Sequence, residues 1–317
     1  MFFGRNKFDV EGRLVVISGA SQGLGRALAR LLFSKGADVV IVARREEPLK
    51  AAVKEIEKAR VLEAQTISYV SADLSIASEA TRVITTLDRV PDVLMCCAGA
   101  SIPKLFTELT SEELLNGVSV NYMTALYLAH AGLKAMAATP SPTYPRHVVF
   151  FSSVVHFYSF IGYSQYAPSK SALRSLADCL RQECIPYNVK VAVVFAGNFE
   201  SEGYEIENRT KPQITKQIEG ASPVISADEC ARLIAKQLNN GQEMITTDFI
   251  GFFLSSSMLS FSPRINYFAQ VLFAFVLAII GPIVEASARR NIKKYYEKKI
   301  FTADKKLPLE EDRSEQL

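Results

Sequence analysis

Residues that bind metal ions or build disulfide frameworks are scarce in this sequence. It contains three histidines and five cysteines among 317 residues. Cys96 and Cys97 are adjacent in an apolar run, and no spacing of cysteines or histidines is typical of a metal site. The sequence therefore predicts no metal centre, and it predicts reduced cysteines in a protein that faces the cytosol.

An excess of one charge is also missing. The net charge of +3 is too small to favour nucleic acid as a partner. The first residues, Met-Phe-Phe-Gly-Arg, become charged too early for a secretory signal peptide. We therefore expect a chain that is neither secreted nor bound to nucleic acid.

Long apolar runs are few, and the strongest lies near the end of the sequence. Residues 265–284 are 20 uncharged positions, enough for a helix to cross a bilayer core of about 30 Å, with a Gly281-Pro282 pair that predicts a break near the end. A shorter run at 249–261 is interrupted by serines, so it could be re-entrant, interfacial or part of the core. The basic residues that follow are expected on the cytoplasmic side: Arg289, Arg290, Lys293, Lys294, Lys298 and Lys299.

These runs predict three parts of the chain. A catalytic domain covers residues 1–247, a hydrophobic and basic membrane-associated segment covers 248–300, and a disordered tail covers 301–317. Because the basic flank and the catalytic domain would share one side of the membrane, a hairpin or an interfacial helix fits better than one complete crossing. The alternative is that the apolar segment packs on the catalytic domain or across a homodimer.

A glycine-rich turn marks the start of the catalytic domain. The β-rich run at 13–18 leads into Gly19-Ala-Ser-Gln-Gly-Leu-Gly25, and a helical pattern follows at 26–35. Glycine allows close approach to the backbone, and a helix N-terminus offers N–H groups to a pyrophosphate. The alternative is a purely structural turn. The predicted cofactor contacts here are Gly19, Ser21, Gln22, Gly23, Leu24 and Gly25.

The next strand predicts which dinucleotide binds. Arg44 and Arg45 follow the strand at 37–43, where a site for NAD usually has a carboxylate for the ribose 2′-hydroxyl. Arginine suits a 2′-phosphate, so NADPH is the expected cofactor, unless these arginines only end a strand in water. Asp73 and Leu74 end the third strand and are expected at the adenine.

Apolar strands alternate with helical stretches along the rest of the domain. Further strands are predicted at 92–99, 147–153 and 189–195, with a helix at 168–184 between the last two. This order indicates an α/β fold with a doubly wound parallel sheet, a Rossmann fold, whose site lies at the carboxyl edge of the strands.

Tyr166 and Lys170 are the strongest catalytic candidates. If Pro168 lies in the first turn of a helix, they lie one turn apart on the same face. A tyrosine with a pKa near ~10 needs a stabilised phenolate for acid and base chemistry at neutral pH, and a nearby ammonium would lower that pKa. Ser153, at the end of a strand, is placed to hydrogen-bond the same substrate oxygen. The alternative is an exposed tyrosine beside a solvated lysine.

Asn121 lies in an apolar helical stretch. An asparagine there competes for backbone hydrogen bonds, so it indicates a kink or a water site. A satisfied core amide is an equally good interpretation of this residue alone.

The ordered set of motifs resembles the short-chain dehydrogenase/reductase family over about residues 10 to 247. The matching positions are Gly19-x-x-x-Gly23-x-Gly25, Ala98-Gly99, Asn121, Ser153, Tyr166-x-x-x-Lys170 and Ala196-Gly197. Two positions depart from the family pattern: Cys96-Cys97 replaces the usual Asn-Asn, and Ala196 replaces the usual proline. Both departures concern the shape of the cofactor pocket.

The resemblance implies a role for each matching residue. Tyr166 would protonate the carbonyl oxygen during hydride transfer, and Ser153 would polarise that carbonyl. Lys170 would hold the cofactor ribose and lower the pKa of the tyrosine, while Asn121 would hold a water that connects the lysine to solvent. The cofactor pocket would be completed by Gly99, Gly197, Tyr166 and Lys170.

Within the family, the chain resembles the 3-ketodihydrosphingosine (3-ketosphinganine) reductases of fungi. The likeness includes residues 195–207, residues 210–215 and the apolar C-terminal extension. It implies NADPH-dependent reduction of this long-chain amino ketone to sphinganine, in sphingolipid biosynthesis, on the cytosolic face of the endoplasmic reticulum membrane. The alternatives are a membrane-associated reductase of a steroid, retinoid or fatty acyl ketone, and a non-catalytic scaffold that binds NADPH. The family commonly pairs through the helices that contain Asn121 and Lys170, so the resemblance implies a homodimer or a homotetramer.

A substrate lid is predicted after the sixth strand, at about residues 199–223. We expect it to be mobile and to contact the long-chain substrate. Its carboxylates could attract the ammonium group of the substrate, although simple solvation explains most of them. They are Glu200, Glu202, Glu205 and Glu207.

Overall fold

A parallel sheet forms the centre of the catalytic domain. The computed structural model describes residues 7–141, 143–220, 223–258 and 262–304, with side chains as far as residue 297. Within these ranges, seven parallel strands pair in the order β3-β2-β1-β4-β5-β6-β7, which confirms the predicted doubly wound sheet. The strands are β1 (Leu14–Ser18), β2 (Asp38–Ala43), β3 (Ile67–Ser71), β4 (Val93–Cys96), β5 (Arg146–Ser153), β6 (Val189–Ala196) and β7 (Met244–Thr246).

Helices cover both faces of the sheet. The first, second and ninth helices pack on one face, and the third, fifth and sixth pack on the other. The helices are α1 (Gly23–Phe33), α2 (Glu46–Glu57), α3 (Ala77–Thr85), α4 (Ser111–Val118), α5 (Thr124–Ala138), α6 (Ala167–Glu183), α7 (Glu202–Thr210), α8 (Gln213–Glu219), α9 (Ala227–Asn239), α10 (Phe249–Met258) and α11 (Tyr267–Asp304).

Alternating side chains of each strand enter the two cores. On β1, Val15 and Ile17 join the core beneath α1 and α9, whereas Leu14 and Val16 join the core beneath α5 and α6. All five β1 side chains are buried, and each large aliphatic one stabilises the fold by roughly 1.5–3 kcal/mol. Strands buried on both faces are apolar throughout, which made them visible in the sequence. Since β1 lies between β2 and β4, the crevice for a ligand opens at the carboxyl ends of β1 and β4.

The last strand, β7, was not predicted from the sequence. It has three residues and is defined by its pairing with β6, from Val193 with Met244 to Phe195 with Thr246. A run this short has no usable hydrophobic period, so only the tertiary pairing identifies it.

The predicted lid contains two short helices, α7 and α8. An isolated bridge pairs Phe199 with Ile225, so the two ends of the lid lie side by side at the carboxyl edge of the sheet.

The apolar C-terminal part forms two antiparallel helices. Phe273 of α11 contacts Phe249, Phe252 and Phe253 of α10, and Gln270 donates a 3.1 Å hydrogen bond to Ser255. The predicted break at Gly281-Pro282 is wrong, because α11 continues through Pro282 over 38 residues. The proline removes one backbone donor, and the turns on either side maintain the helix.

α11 begins beside the catalytic domain and also contacts the lid helix α8. Ser262 bonds to Arg174 and Asp178 of α6, which fixes the chain just before the helix. A candidate membrane span lies at Tyr267–Glu297, and only 6% of its most apolar window is buried. Part of α11 does contact the catalytic domain, because it touches the lid helix α8 and Ala288 is buried. The alternatives of packing on the catalytic domain or across a homodimer therefore both stay open. Residues 301–304 of the predicted tail are helical, and 305–317 lie outside the described residues.

Candidate active site

The glycine turn after β1 brings two strands and a helix close together. Gly19 has a φ of 68°, and a Cβ there would lie 2.7 Å from the Cα of Ala98, just after β4. A Cβ on Gly25 would lie 2.5 Å from the carbonyl oxygen of Gly19. A larger residue at either position would force the turn apart, so these glycines keep the backbone within reach of a ligand.

Helix α1 begins at the predicted phosphate site without a cap. Gln22 is its N-cap residue but makes no capping hydrogen bond, and the first turn has no acidic side chain. By helix geometry, the first N–H groups, from Gly23 to Gly25, have no partner within the helix. Ser21 is partly exposed beside them, whereas Leu24 is buried and lines the catalytic cavity. This end of α1 is suited to an anion.

Arg44 and Arg45 are exposed at the carboxyl end of β2. The guanidinium of Arg45 donates a 3.2 Å hydrogen bond to Oε1 of Gln22, so it lies against the glycine turn. The two glutamates that follow are paired with Lys50 at 3.1 and 2.8 Å, which reduces their repulsion of a bound phosphate. Arg45 therefore lies beside the predicted phosphate site, and its role in binding a 2′-phosphate stays a prediction.

The end of β3 differs in part from the prediction. Asp73 accepts hydrogen bonds from the N–H and the hydroxyl of Ser75, at 3.0 and 2.7 Å. The Ser75 hydroxyl and, to a lesser extent, the charge of Arg44 hold the pKa of Asp73 below its usual value. Leu74 is a core residue at 4% exposure, so only its backbone is available for the predicted cofactor contact.

Asn121 lies in a π-helical turn, Ser119–Met123, between α4 and α5. The N–H of Thr124 donates to the carbonyl of Ser119, five residues earlier, instead of four. The buried amide of Asn121 donates to the carbonyls of Ala100 and Gly117 at 2.8 and 3.0 Å, and it accepts from the N–H of Ala100 at 3.0 Å. A kink and a satisfied amide are thus both present, and one lone pair of Oδ1 remains for a water.

Ser152 and Ser153 point in opposite directions because side chains alternate along β5. The hydroxyl of Ser152 donates a 2.7 Å hydrogen bond to the carbonyl oxygen of Lys170 and so ties β5 to α6. The hydroxyl of Ser153 instead lies on the Tyr166 side, where it acts to lower the pKa of the phenol, and both residues line the same cavity. The serine that faces the candidate proton donor is therefore Ser153.

Tyr166 and Lys170 are brought together by the start of α6. Tyr166 is the N-cap residue, and Pro168 lies in the first turn, where it needs no hydrogen-bond acceptor for its nitrogen. The ammonium of Lys170 lies 5.4 Å from the centroid of the Tyr166 ring. Lys170 is 4% exposed and Tyr166 opens into a cavity, so the alternative of an exposed pair is wrong.

The acid strength of this pair differs from the expectation. Burial raises the pKa of Tyr166, the charge of Glu207 adds to this, and the Ser153 hydrogen bond acts against it. Burial lowers the pKa of Lys170 to about 8. The ammonium of Lys170 donates a 2.8 Å hydrogen bond to the carbonyl oxygen of Phe151, and its expected lowering of the tyrosine pKa stays a prediction. Tyr166 is a protonated phenol at neutral pH, which suits a proton donor.

Gly99 allows the end of β4 to approach these catalytic candidates. A Cβ on Gly99 would lie 2.9 Å from both Oδ1 of Asn121 and Nζ of Lys170. Gly197, after β6, has a similar constraint, since a Cβ there would collide with the carboxylate of Asp248. Its N–H donates to the hydroxyl of Thr247 at 2.9 Å. Both glycines therefore keep the carboxyl edge of the sheet open.

These groups surround a cavity of about 310 Å³. Its lining combines the ends of the central strands, the start of α6, the lid and the first turns of α10. It includes Cys97, Gly99, Ser153, Tyr166, Lys170, Gly197, Tyr163, Glu207, Glu219, Ile250 and Leu254.

The residues at the carboxyl edge fit a dinucleotide. The uncapped start of α1 offers N–H groups to a ligand. Because Gly19 has no side chain, the backbone of the turn can lie directly against that ligand. Arg45 adds positive charge at the edge of the turn. The donor set therefore suits a pyrophosphate and a phosphorylated ribose.

Several cavity residues were missed in the sequence. Lys211 bridges Glu207 and Glu219 of the lid, and Tyr163 donates to Glu207. Of the four lid carboxylates named as candidates, Glu207 alone lines this cavity; the other three are exposed. Tyr163 lies three residues before Tyr166, and this spacing could have predicted that Tyr163 lies at the site. Nothing in the local sequence predicts the contact between Lys211 and Glu219.

The comparisons with known proteins agree with this geometry. A family model described as short chain dehydrogenase matches residues 13–211. A 3-ketodihydrosphingosine reductase of Yarrowia lipolytica is 47% identical over 297 residues, which cover 92% of this chain and 80% of the relative. One from Debaryomyces hansenii is 45% identical over 305 residues and 93% of each chain. One from Saccharomyces cerevisiae is 34% identical over 92% of this chain and 97% of the relative.

Solved structures share the fold at low sequence identity. A short-chain dehydrogenase from Sphingobium yanoikuyae in complex with NADPH has a TM-score of 0.65 at 20% identity, covering 75% of this chain and 88% of that one. A putative 2-deoxy-D-gluconate 3-dehydrogenase from Agrobacterium tumefaciens with bound NADP has a TM-score of 0.64 at 22% identity, covering 77% and 98%.

Proposed function

The chain belongs to the short-chain dehydrogenase family. From its similarity to fungal reductases over most of its length, we infer that it is a 3-ketodihydrosphingosine reductase. It reduces the 3-ketone of this long-chain amino ketone to the alcohol of sphinganine, in the synthesis of sphingolipids. The observation that carries this function is that the likeness to fungal reductases runs through nearly the whole chain, including the lid and the C-terminal helices. These are the parts outside the common fold that would recognise a lipid.

A nicotinamide dinucleotide is the cofactor of the family, and NADPH is the form that we assign here. The N–H groups from Gly23 to Gly25 would hold the pyrophosphate, and Arg44 and Arg45 would hold the 2′-phosphate. Asp73 would lie at the adenine end. When bound, the cofactor supplies the hydride that reduces the ketone carbon.

Tyr166 supplies the proton in this reaction. Its phenol is protonated at neutral pH and faces the cavity beside Ser153. Both hydroxyl groups would donate hydrogen bonds to the ketone oxygen, which gains negative charge as the carbon is reduced. Lys170, charged below pH 8 and held by Phe151, would bind the cofactor ribose and stabilise the phenolate that remains. Asn121 would hold a water near Lys170 for the return of the proton.

The C-terminal helices support an active site at a membrane. A tail of about 15 carbons gains roughly 12 kcal/mol from burial in lipid, so the substrate stays in the bilayer. Phe268, Leu272 and Phe275 of α11 are 87%, 60% and 66% exposed, which is costly in water and favourable in lipid. Ile250 and Leu254 of α10 line the catalytic cavity while α10 packs on α11. This contact gives the acyl tail an apolar path from lipid to Tyr166.

The two C-terminal helices also support a location at a membrane. α10 spans about 15 Å at 1.5 Å per residue, too short to cross a bilayer, so it lies in the interface beside α11. An unbroken α11 that crossed the bilayer would put its basic end opposite the catalytic domain, so we place α11 in the interface as well. The catalytic domain and the basic end of α11 then share the cytosolic side of the endoplasmic reticulum membrane. The protein pairs through α5 and α6 as a homodimer, or as a homotetramer.

A substrate panel tests the proposed reaction. The detergent-purified protein is given NADPH with 3-ketodihydrosphingosine, a steroid ketone, a retinoid and a fatty acyl ketone, and the products are identified by mass spectrometry. We expect the highest kcat/KM with 3-ketodihydrosphingosine and a sphinganine product. A higher kcat/KM with another ketone would reassign the substrate, and bound NADPH without any turnover would favour the scaffold.

A further inference from the structure

A buried network of charges forms one wall of the catalytic cavity. Lys211 donates a 2.6 Å hydrogen bond to Oε2 of Glu219 and lies 3.1 Å from Oε1 of Glu207. The hydroxyl of Tyr163 donates to the same Oε1 of Glu207 at 2.6 Å, and the amide of Asn198 donates to Glu219 at 3.2 Å. The network joins α7 and α8 of the lid to the segment just before α6.

This network has one negative charge too many. The Lys211 side chain is 2% exposed, and the Glu207 and Glu219 side chains are each 16% exposed. Burial acts to lower the pKa of Lys211, but the Glu219 hydrogen bond and the Glu207 charge outweigh it and raise the pKa. One ammonium therefore faces two carboxylates, and a buried surplus charge is costly unless a further cation binds.

The surplus carboxylate lines the same cavity as the catalytic tyrosine. Glu207, Glu219 and Tyr163 all line the cavity that contains Tyr166 and Ser153. The ring centroids of Tyr163 and Tyr166 are 6.2 Å apart, so Glu207 is one side chain away from the proton donor. Among the described residues, Oε2 of Glu207 accepts no hydrogen bond, whereas Oε1 has two partners.

The chemistry of the substrate matches this arrangement. In 3-ketodihydrosphingosine the amino group is on the carbon next to the ketone carbon. A substrate whose ketone oxygen lies at Tyr166 must therefore place its ammonium within a few bond lengths of that hydroxyl. A carboxylate beside the tyrosine is the group that would receive it.

We propose that the carboxylate of Glu207, held in place by Lys211 and Glu219, binds the ammonium group of the substrate. The proposal rests on the reduction of an amino ketone given above and adds the group that selects for the amine. Lys211 and Glu219 are positioning residues. Lys211 pairs with the carboxylate of Glu207, and Glu219 holds Lys211 in place. The other three lid carboxylates, Glu200, Glu202 and Glu205, are exposed to solvent and take no part.

Paired substrates test the assignment. Wild type, Glu207→Gln and Glu205→Gln are compared with 3-ketodihydrosphingosine and with the deaminated ketone of the same chain length. Glu205 is the matched control, because it is an exposed glutamate on the same helix. We expect Glu207→Gln to raise KM for the amino ketone roughly 10- to 100-fold and to leave KM for the deaminated ketone unchanged, since only the first loses a charged hydrogen bond. Glu205→Gln should change neither.

The dependence of KM on pH adds a second test. In the wild type, KM for the amino ketone should rise as the pH passes the pKa of an α-amino group, about 8, whereas Glu207→Gln should lack this rise. Thermal unfolding establishes that Glu207→Gln is folded. Glu219→Gln keeps the hydrogen bond between Tyr163 and Glu207, so it should raise KM for the amino ketone by a smaller factor.

These experiments distinguish a failure of the Glu207 role from a failure of the reductase function. An equal loss with both ketones, or a wild-type enzyme that binds both ketones equally well, would overturn the role of Glu207 and leave the reductase function in place. A wild-type enzyme that reduces neither ketone would contradict the function and this role together.

Discussion

The ammonium of Lys170 donates a 2.8 Å hydrogen bond to the backbone carbonyl oxygen of Phe151, two residues before Ser153 on β5. The lysine is therefore held between the central strand and α6, and it does not touch the phenolic oxygen of Tyr166. In this buried position its pKa is lowered to about 8 by loss of solvation. The charge of Lys170 is thus sensitive to pH in a range where the enzyme can be assayed.

The first prediction concerns this lysine. The charged form exists below the lowered pKa, so the ammonium is lost as the pH rises through about 8. We expect kcat/KM for NADPH to be constant below about pH 7 and to fall above about pH 8, because this parameter reports groups of the free enzyme. Initial rates at limiting NADPH give the profile, and a flat profile to about pH 10 would contradict the role of Lys170.

The second prediction concerns the choice of cofactor. Replacing both Arg44 and Arg45 by alanine removes the positive charge beside the glycine turn. We expect the Kd for NADPH to rise roughly 10- to 100-fold while the Kd for NADH changes by less than about threefold, since only NADPH has a 2′-phosphate. Fluorescence titration measures both, with Arg232→Ala on α9 as an exposed control. An unchanged preference would refute the assignment of these arginines.

The third prediction concerns stability in acid. Burial lowers the pKa of His147 to about 4, from an ordinary value of 6.5. The unfolded chain therefore binds the proton more readily, so the contribution of His147 is complete above about pH 6.5 and is lost as the pH falls towards 4. We expect a loss on the order of 3 kcal/mol in the free energy of unfolding over this window.

Denaturant unfolding between about pH 7 and pH 4 measures this loss. His147→Leu should reduce the pH dependence without abolishing it, because burial also lowers the pKa of His156 to about 4. Replacement of the exposed His130 by glutamine should leave it unchanged. If His147→Leu and the wild type lose stability in parallel, another group is responsible.

The fourth prediction concerns the membrane. Replacing the exposed Phe268, Leu272 and Phe275 of α11 by lysine should abolish flotation with phospholipid vesicles, because each charge opposes the burial of this apolar face in lipid. Reduction of a detergent-solubilised substrate should remain within a few-fold of wild type, since these side chains lie outside the cavity.

Ile185→Lys is the matched control for this experiment. Ile185 is a 73% exposed aliphatic residue far along the chain from α11, between α6 and β6, and its replacement should leave flotation intact. Flotation of the triple variant with the vesicles would contradict a membrane-bound α11.

Local patterns were sufficient to predict much of the fold and part of the site. The apolar strands β1 to β6, the turn from Gly19 to Gly25 and the start of α6 each have a signal within a few residues. The placement of Ser153 towards Tyr166, and of Ser152 away from it, follows from the alternation along one strand.

The remaining features depend on contacts between distant parts of the chain. Glu207 and Lys211 have the i,i+4 spacing of a local ion pair, but their links to Glu219 and Tyr163 depend on how α7 and α8 pack at the site. The raised pKa of Tyr166 reflects burial, which spacing alone does not reveal. Pro282 was expected to end a helix that in fact continues, since propensity at one residue is weaker than the turns around it.

The most direct test of the account is the turnover of 3-ketodihydrosphingosine with NADPH by the wild type and by Tyr166→Phe, with sphinganine measured by mass spectrometry and NADPH affinity measured in parallel. We predict product from the wild type, a loss of turnover of about 10²- to 10⁴-fold in the variant, and an NADPH affinity unchanged within about threefold, because the phenol donates its proton to the substrate. A variant that retains wild-type turnover, or a wild type that binds NADPH and forms no sphinganine, would contradict it.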